Sequence, residues 1–320
     1  MTCTQGQRND PEATVVWLDR GNRLTQLHLT SSNVCWRPAS TAELAGLAGY
    51  FALLIVGTDV LNVRLGVEAL TAAVILPAAI SRRLESFARD WWFFLIGLVM
   101  WNVSGPIAAY SPFPLHLDFM LQADHHMFFG HDAVTWMQRT FADYGRGSPL
   151  DIVSFVTYNL HLPEPYIAGY ILWRLNRELY LQFAAAALVV SVLGFIAFVV
   201  YPAVPPWLAA QRYGEVPGVY NGFGLILHRH PLPFHGTPLF YAFQWRGDAV
   251  AAFPSEHAAF PLLEFLAFSR LGRPWLGLFV WPLWVVFVVV YLGEHWVIDA
   301  LAGWLLALVA FFAVRGVIRV

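Results

Sequence analysis

Long apolar runs separated by short arginine-bearing turns constrain this chain more than any single motif. The runs lie at 43–60, 65–81, 91–109, 150–173, 180–201, 254–269, 275–292 and 297–314. Each is close to the roughly 17–25 residues that a helix needs to cross the hydrocarbon core of a bilayer. Of the 320 residues, 58% are hydrophobic and only 12% are charged. A soluble domain carries about 25% charged residues, so most of this chain belongs in lipid. Lipid offers no water to satisfy backbone N–H and C=O groups, which restricts spanning segments to helices or closed barrels. The expected fold is therefore an all-α, polytopic membrane helical bundle of about eight transmembrane helices. The first two form a tight hairpin around Asn62-Val63-Arg64.

Basic residues give the orientation. Arg82, Arg83 and Arg89 follow the second run, Arg174 and Arg177 the fourth, Arg270 and Arg273 the sixth, and Arg315 and Arg319 the last. With eight spans all four clusters fall on one side, together with both termini, and the positive-inside rule makes that side cytoplasmic. The long loops 110–149 and 202–253 then lie on the extracytoplasmic face, as do His257 and His295. Residues 1–40 hold scattered charges and no apolar core, which reads as a polar, poorly ordered cytoplasmic tail rather than a cleaved signal peptide. Residues 41–320 read as the integral membrane catalytic domain, with a core at roughly 90–315. Cys3 and Cys35 make neither a disulfide framework nor a metal knuckle and fit a reducing compartment. A net charge of −2 gives no reason to expect nucleic acid as a partner. Val134–Phe141 can lie as an amphipathic helix on the membrane surface. His161, Pro163, Glu164 and Pro165 interrupt the fourth run and predict a kink there.

Two short segments carry the chemistry. In Gly293-Glu294-His295-Trp296-Val297-Ile298-Asp299, His295 and Asp299 are one helical turn apart. A carboxylate on that face can hold one ring nitrogen and leave the other free as nucleophile or base. In Phe253-Pro254-Ser255-Glu256-His257, Ser255 is a natural N-cap, and the free N–H groups of a helix start attract anions. His257, in the first turn, can donate a proton to a leaving oxygen. Each segment alone reads more readily as a capped helix end than as a catalyst. Tyr201-Pro202-Ala203-Val204-Pro205-Pro206-Trp207 ends the fifth run on the same face, with Tyr201 and Pro205 placed to line a site. Arg212, Arg229 and Arg246 are candidate phosphate clamps, because a guanidinium holds phosphate oxygens bidentately; a solvated loop arginine is an equal reading for each.

The order and spacing of these segments resemble the type 2 phosphatidic acid phosphatase superfamily, over roughly residues 115–310. The most similar branch is that of inositol phosphorylceramide synthase and its bacterial relatives. The resemblance rests on Thr135-Trp136-Met137-Gln138, on Leu150-Asp151 through Tyr158 and His161, on the Pro-Pro-Trp exit, on the Pro-Ser-x-His segment and on the Gly-Glu-His-x-x-x-Asp segment. It implies a six-helix phosphatase-like core and a mechanism without metal or cofactor. In that mechanism His295, oriented by Asp299, attacks phosphorus and becomes phosphohistidine, His257 protonates the leaving oxygen, and water or another alcohol takes the phosphoryl group. The implied substrate is a phospholipid or a polyprenyl or sphingolipid phosphate within the membrane lipids, and the substrate-binding candidates are Ser255, Arg246, Arg212, Pro205, Tyr201 and His161. Two departures stand out. The phosphatases' Ser-Arg pair is replaced by Phe287-Val288-Val289-Val290, which favours the synthase branch, and Glu256 occupies a position where the branch has Leu, Met or a small residue.

Other readings compete. A proton-coupled transporter or flippase would use intramembrane His, Asp and Glu, with His161 and Glu264 as suspects, but it predicts inverted repeats that the chain does not display. A metalloenzyme would draw on His125, His126, His131 and Asp132, or on His228 and His230, all in loops where histidines are usually solvated.

Overall fold

The computed structural model describes residues 13–18, 24–29, 40–43, 45–46, 48–50, 67–143, 148–161, 163–229 and 250–318. Two strands, β1 (Ala13–Leu18) and β2 (Leu24–Leu29), pair antiparallel with Ala13 opposite Leu29. They lie inside the segment expected to be a poorly ordered tail. The Thr14-Val15-Val16-Trp17 run supplies the β-branched and aromatic side chains that favour a pleated ribbon.

All other regular structure among the described residues is helical. The order is α1 (Val67–Ile80), α2 (Leu84–Ala108), α3 (Asp118–Met127), α4 (Ala133–Phe141), α5 (Pro149–Leu160), α6 (Glu164–Leu175) and α7 (Arg177–Val200). After a short helical turn at Pro206–Leu208 come α8 (Gly222–Arg229), α9 (Glu256–Ser269), α10 (Val280–Tyr291) and α11 (Val297–Val317). Three stretches among the described residues are long and apolar enough to cross a bilayer: Arg177–Val200, Arg273–Tyr291 and Val297–Val317. The run expected at 43–60 lies largely outside the described residues. The run at 150–173 is divided into α5 and α6. Pro163 and Pro165 sit at the division, where neither can donate the N–H that would continue the α5 ladder. The amphipathic segment 134–141 forms most of α4, with Val134 and Met137 buried and Trp136 exposed.

Helix direction separates two ends of the bundle. α9 runs from His257 to Arg270 and α11 from Asp299 to Arg315, while α7 runs from Arg177 to the Tyr201–Trp207 exit. The arginine-bearing turns thus gather at the end opposite the histidines. There Asp90 of α2 is held by Arg177 Nε and Nη2, each at 2.7 Å, and by the Trp173 indole at 3.0 Å. An aromatic cluster of Phe87, Trp91, Phe94, Tyr170, Trp173, Tyr180 and Phe183 fills the bundle next to this clip.

The two faces of α11 differ. Ala300, Gly303, Ala307, Ala310 and Val314 face the bundle, where small side chains let helices approach closely. Leu301, Leu305, Val309 and Phe312 form an exposed apolar stripe down the other face, with Leu305 at 62% exposure. Water would not support such a stripe on a monomer, whereas lipid chains cover it without cost.

Candidate active site

Three extended segments build the floor. His116, Ala203 and Ala251 lie side by side as parallel bridges. Ala203 donates to the Val250 carbonyl at 2.8 Å, Ala252 donates to the Ala203 carbonyl at 3.3 Å, and Val204 donates to the His116 carbonyl at 3.0 Å. Pro202, Pro205 and Pro206 have no N–H, so this exit cannot coil back into a helix before Pro206. It is fastened to the 293–296 turn instead. The Trp207 N–H donates to the Gly293 carbonyl at 3.1 Å, the Trp207 indole to Glu294 at 3.1 Å, and the buried Trp296 indole to the Val204 carbonyl at 2.8 Å. Gln138 of α4 closes the other side, exchanging both amide bonds with Tyr220 at 2.9 Å and donating to the Tyr291 carbonyl at 3.0 Å.

His295 lies in the turn, two residues before α11 begins at Val297. The helical spacing to Asp299 therefore does not place both side chains on one helix face, and the ring is held differently from the sequence expectation. His295 Nδ1 is 2.9 Å from the Ala252 carbonyl and 3.7 Å from Asp299 Oδ2. A carbonyl only accepts, so Nδ1 carries the proton and Nε2 presents a lone pair. Asp299 Oδ2 instead takes the Trp296 N–H at 2.8 Å, capping α11, and stays close enough to stabilise positive charge on the ring. Both groups are buried, His295 at 4% exposure and Asp299 at 0%.

Ser255 caps α9 as the Pro-Ser start implies, its hydroxyl accepting from Ala258 at 3.3 Å. Its own N–H donates to the Asp299 carbonyl at 2.9 Å, tying the start of α9 to α11. A Cβ on Gly303, one turn further along α11, would collide with the Ser255 carbonyl oxygen, so the two helices meet backbone to backbone there. This register brings the histidines together: His257 Nδ1 lies 3.1 Å from His295 Nε2. His161, at the end of α5, joins them with its ring 4.1 Å from that of His257. Glu256 turns away, its carboxyl seated against Gly194 of α7 where any Cβ would overlap it. The unusual acid beside His257 therefore faces the helix packing and not the imidazole. Glu264 lies against Glu164, which accepts from the Trp281 indole.

Asp124 of α3 is a site residue that sequence reasoning passes over. Its carboxylate accepts from Val297 and Ile298, both at 3.0 Å, filling the first-turn donors of α11 from 173 and 174 residues away in sequence. Burial raises its pKa above the ordinary aspartate value, and the two N–H donors pull it partly back. Asp124→Ala is expected to lower stability by about 1–2 kcal/mol, the usual range for losing a helix cap. Asp124→Asn, which keeps one acceptor oxygen for the two N–H groups, should recover only part of it. Thermal unfolding of the detergent-solubilised variants measures both.

The remaining candidates are scattered. Tyr201 ends α7 and stacks on His116 at 3.7 Å, with Phe253 at 5.7 Å beyond. Pro205 is buried, its carbonyl accepting from Leu208 and Ala209. Arg212 is exposed on the turn Ala209–Tyr213, and Arg246 lies outside the described residues, as do His230, Cys3 and Cys35. His228 and Arg229 close α8. His125 pairs with Asp132 at 2.5 Å and His126 with the Gln122 carbonyl at 2.6 Å, so the histidines of this loop face different partners. Among the described residues no three His, Cys, Asp or Glu side chains converge as ligands for a metal ion.

The model of the PAP2 superfamily matches residues 118–313, from the first turn of α3 to the last turns of α11. The chain belongs to the PAP2 superfamily. It is 28% identical over 184 residues to the phosphoinositol dihydroceramide synthase of Bacteroides thetaiotaomicron, covering 52% of this chain and 58% of that protein. It is 29% identical over 170 residues to the inositol phosphorylceramide synthase catalytic subunit of Schizosaccharomyces pombe, covering 51% of this chain and 40% of that protein. An inositol phosphorylceramide synthase of Candida albicans is 26% identical over 174 residues, covering 51% and 35%. The chain thus spans about half the length of the curated relatives it matches, or less. No solved structure matches it. With its apolar helices and this family, the protein is an integral membrane protein.

Proposed function

We propose that this PAP2 enzyme, of the phosphoric ester hydrolase and phosphotransferase class, moves the phosphorus-bearing head group of a membrane lipid through a phosphohistidine at His295. The observation that carries the reading is the 3.1 Å contact between His295 Nε2 and His257 Nδ1, with the Ala252 carbonyl fixing the proton on the opposite His295 nitrogen. The His295 lone pair attacks phosphorus, the bond to the leaving oxygen breaks, and that oxygen takes the His257 proton. An acceptor hydroxyl then attacks the phosphohistidine, returns a proton to His257 and frees His295. Catalysis of this kind needs positioning and charge stabilisation above all.

At the start of α11, Asp299 and Asp124 already take the N–H groups of Trp296, Val297 and Ile298. A phosphate is better served by the start of α9, where Ser255 is the cap. His161 lies beside His257 and Tyr201 beside Phe253 at this start; Pro205 is assigned to the substrate's lining, and Arg212 and Arg246 are the cations for an incoming phosphate. In this reading residues 41–320 form one membrane catalytic domain of about eight spans around a six-helix core. Both termini are cytoplasmic and the histidines face the extracytoplasmic side. The relatives' names favour phosphoinositol as the group transferred and a ceramide-type alcohol as acceptor.

Purified protein mixed with phosphatidylinositol labelled in its phosphate is expected to become labelled through an acid-labile, base-stable bond, mapped to His295 by peptide mass spectrometry. Release of that label to ceramide, to diacylglycerol or to water assigns the acceptor. Turnover of the lipid with the label never on a histidine would sink the proposal.

A further inference from the structure

At the end of the bundle opposite the histidines, two arginines close in sequence are held very differently. Arg177, 23% exposed, grips the buried Asp90 carboxylate through two nitrogens, each at 2.7 Å. Arg174, in the last turn of α6, is buried more deeply, at 4% exposure, yet has the poorer partner. Its Nη2 lies 3.5 Å from Oε1 of Glu43, a side chain that is 43% exposed. Its Nη1 is buried with no hydrogen-bond partner among the described residues.

Glu43 is placed by another task. Its Oε2 accepts the Ser40 N–H at 2.7 Å, and its own N–H donates to the Ser40 hydroxyl at 3.3 Å, the reciprocal pairing that starts a helix. Arg174 receives only the second oxygen, at long range. A guanidinium does not give up its proton in a protein, so burial leaves its charge in place and its idle N–H groups costly. The carbonyl end of α6 favours a cation there, but it supplies Nη1 with no acceptor. More positive charge is close by. The Tyr170 hydroxyl feels Arg174, Arg83 and Glu43 together, which joins Arg83 of the α1–α2 turn to the cluster. Arg82 on the same turn is exposed, and the apolar Ile80 and Leu84 on either side of the turn are exposed too. A turn that shows apolar side chains next to basic ones suits the boundary between acyl chains and headgroups.

We propose that Arg174, with Arg83 beside it, binds the phosphate of an anionic membrane lipid at a site separate from the histidines. The phosphate takes Nη1 and Nη2 of Arg174 through two of its oxygens and displaces the Glu43 carboxylate. A guanidinium fork matches two phosphate oxygens in this way, and basic pockets between membrane helices hold anionic headgroups. Glu43 is then an internal stand-in, of the right charge but with a single oxygen at long range. The site does not depend on the phosphohistidine reading.

Lipid retention tests this. The full-length protein, Glu43→Gln and Arg174→Gln are delipidated in detergent and titrated with phosphatidylglycerol or with phosphatidylcholine of the same acyl chains. Bound lipid is counted by native mass spectrometry. The wild type is expected to hold phosphatidylglycerol about tenfold or more tighter than phosphatidylcholine, the scale of hydrogen bonds to a charged group. Glu43→Gln keeps an acceptor for the Ser40 N–H but removes the competing charge. It should tighten phosphatidylglycerol by about threefold or more, the scale of a partly exposed ion pair, and leave phosphatidylcholine unchanged. Arg174→Gln should bring phosphatidylglycerol down to the phosphatidylcholine level. Inorganic phosphate, which has the charge without the chains, should not raise the melting temperature where phosphatidylglycerol does; an equal rise overturns the lipid as the source of the phosphate. Loss of a buried arginine can unfold a bundle, so Glu43→Gln decides by itself. Unchanged or weaker phosphatidylglycerol binding in that variant overturns the proposal, as does equal retention of the two lipids by the wild type.

Discussion

His295→Ala protein is expected to form no phosphoenzyme and to lose turnover of its lipid by roughly 10⁴-fold or more, because it removes the nucleophile itself and no other group takes its place. The same change should barely move the melting temperature. His295 lies in a turn and not in a helix, and the groups it leaves behind include the Ala252 carbonyl, a His257 ring nitrogen and the nearby Asp299 carboxylate. The turn is held independently by the Trp296 indole on Val204 and by Trp207 on Gly293 and Glu294. A large kinetic loss in a protein of near-native stability is the signature of a chemical role. His257→Ala is the natural companion: it should slow transfer from an alkyl ester by about 10²–10⁴-fold, as expected for general acid–base catalysis, while leaving the nucleophile intact. A His295→Ala protein with measurable turnover, or one that fails to fold, would count against the assigned role.

Much of this site was legible because its chemistry is carried by local strings. A histidine next to a Pro-Ser helix start and a histidine ahead of an aspartate are visible in order, and the arginine clusters place them at one end of the bundle. The break between α5 and α6 was legible from Pro163 and Pro165, since a missing N–H is a local fact. What was not legible is whatever depends on approach between distant segments. The spacing of His295 and Asp299 suggests one helix face, yet α11 begins only at Val297 and the ring finds a backbone carbonyl from Ala252, 43 residues earlier. A backbone acceptor leaves no trace in side-chain identity. Asp124 is likewise silent: nothing in the sequence around it says that this aspartate caps a helix far along the chain. Glu256 looked like a perturbation of His257 until Gly194 provided the place for its carboxyl. Helix lengths also resist reading, because apolar side chains do not say where a helix in lipid starts; α9 is 14 residues long and begins at Glu256, two residues into the run 254–269.

Gly303→Ala is expected to reduce turnover by about 10²-fold, although residue 303 touches neither histidine. The added Cβ would run into the Ser255 carbonyl oxygen and crowd its carbon at 3.0 Å. These are backbone atoms, so no rotamer change relieves the overlap, and α11 and the start of α9 must move apart. Ser255 is also where α9 is fastened to α11, through its N–H on the Asp299 carbonyl at 2.9 Å. Displacement at that point is transmitted to His257, two residues along α9, and widens its 3.1 Å contact with His295. A misplacement of about 1 Å in such a constellation can cost roughly 10²-fold in rate, and overpacking of this type destabilises by about 1–3 kcal/mol. Gly316→Ala is the control on the same helix, since a Cβ there meets nothing within 4 Å. Alanine is the better helix former by roughly 0.5–1 kcal/mol, so this variant should be at least as stable as the parent and fully active. Turnover and thermal unfolding of the pair separate the two effects. If Gly303→Ala were as active as Gly316→Ala, the close approach of α11 to Ser255 would not be what sets the two histidines against each other.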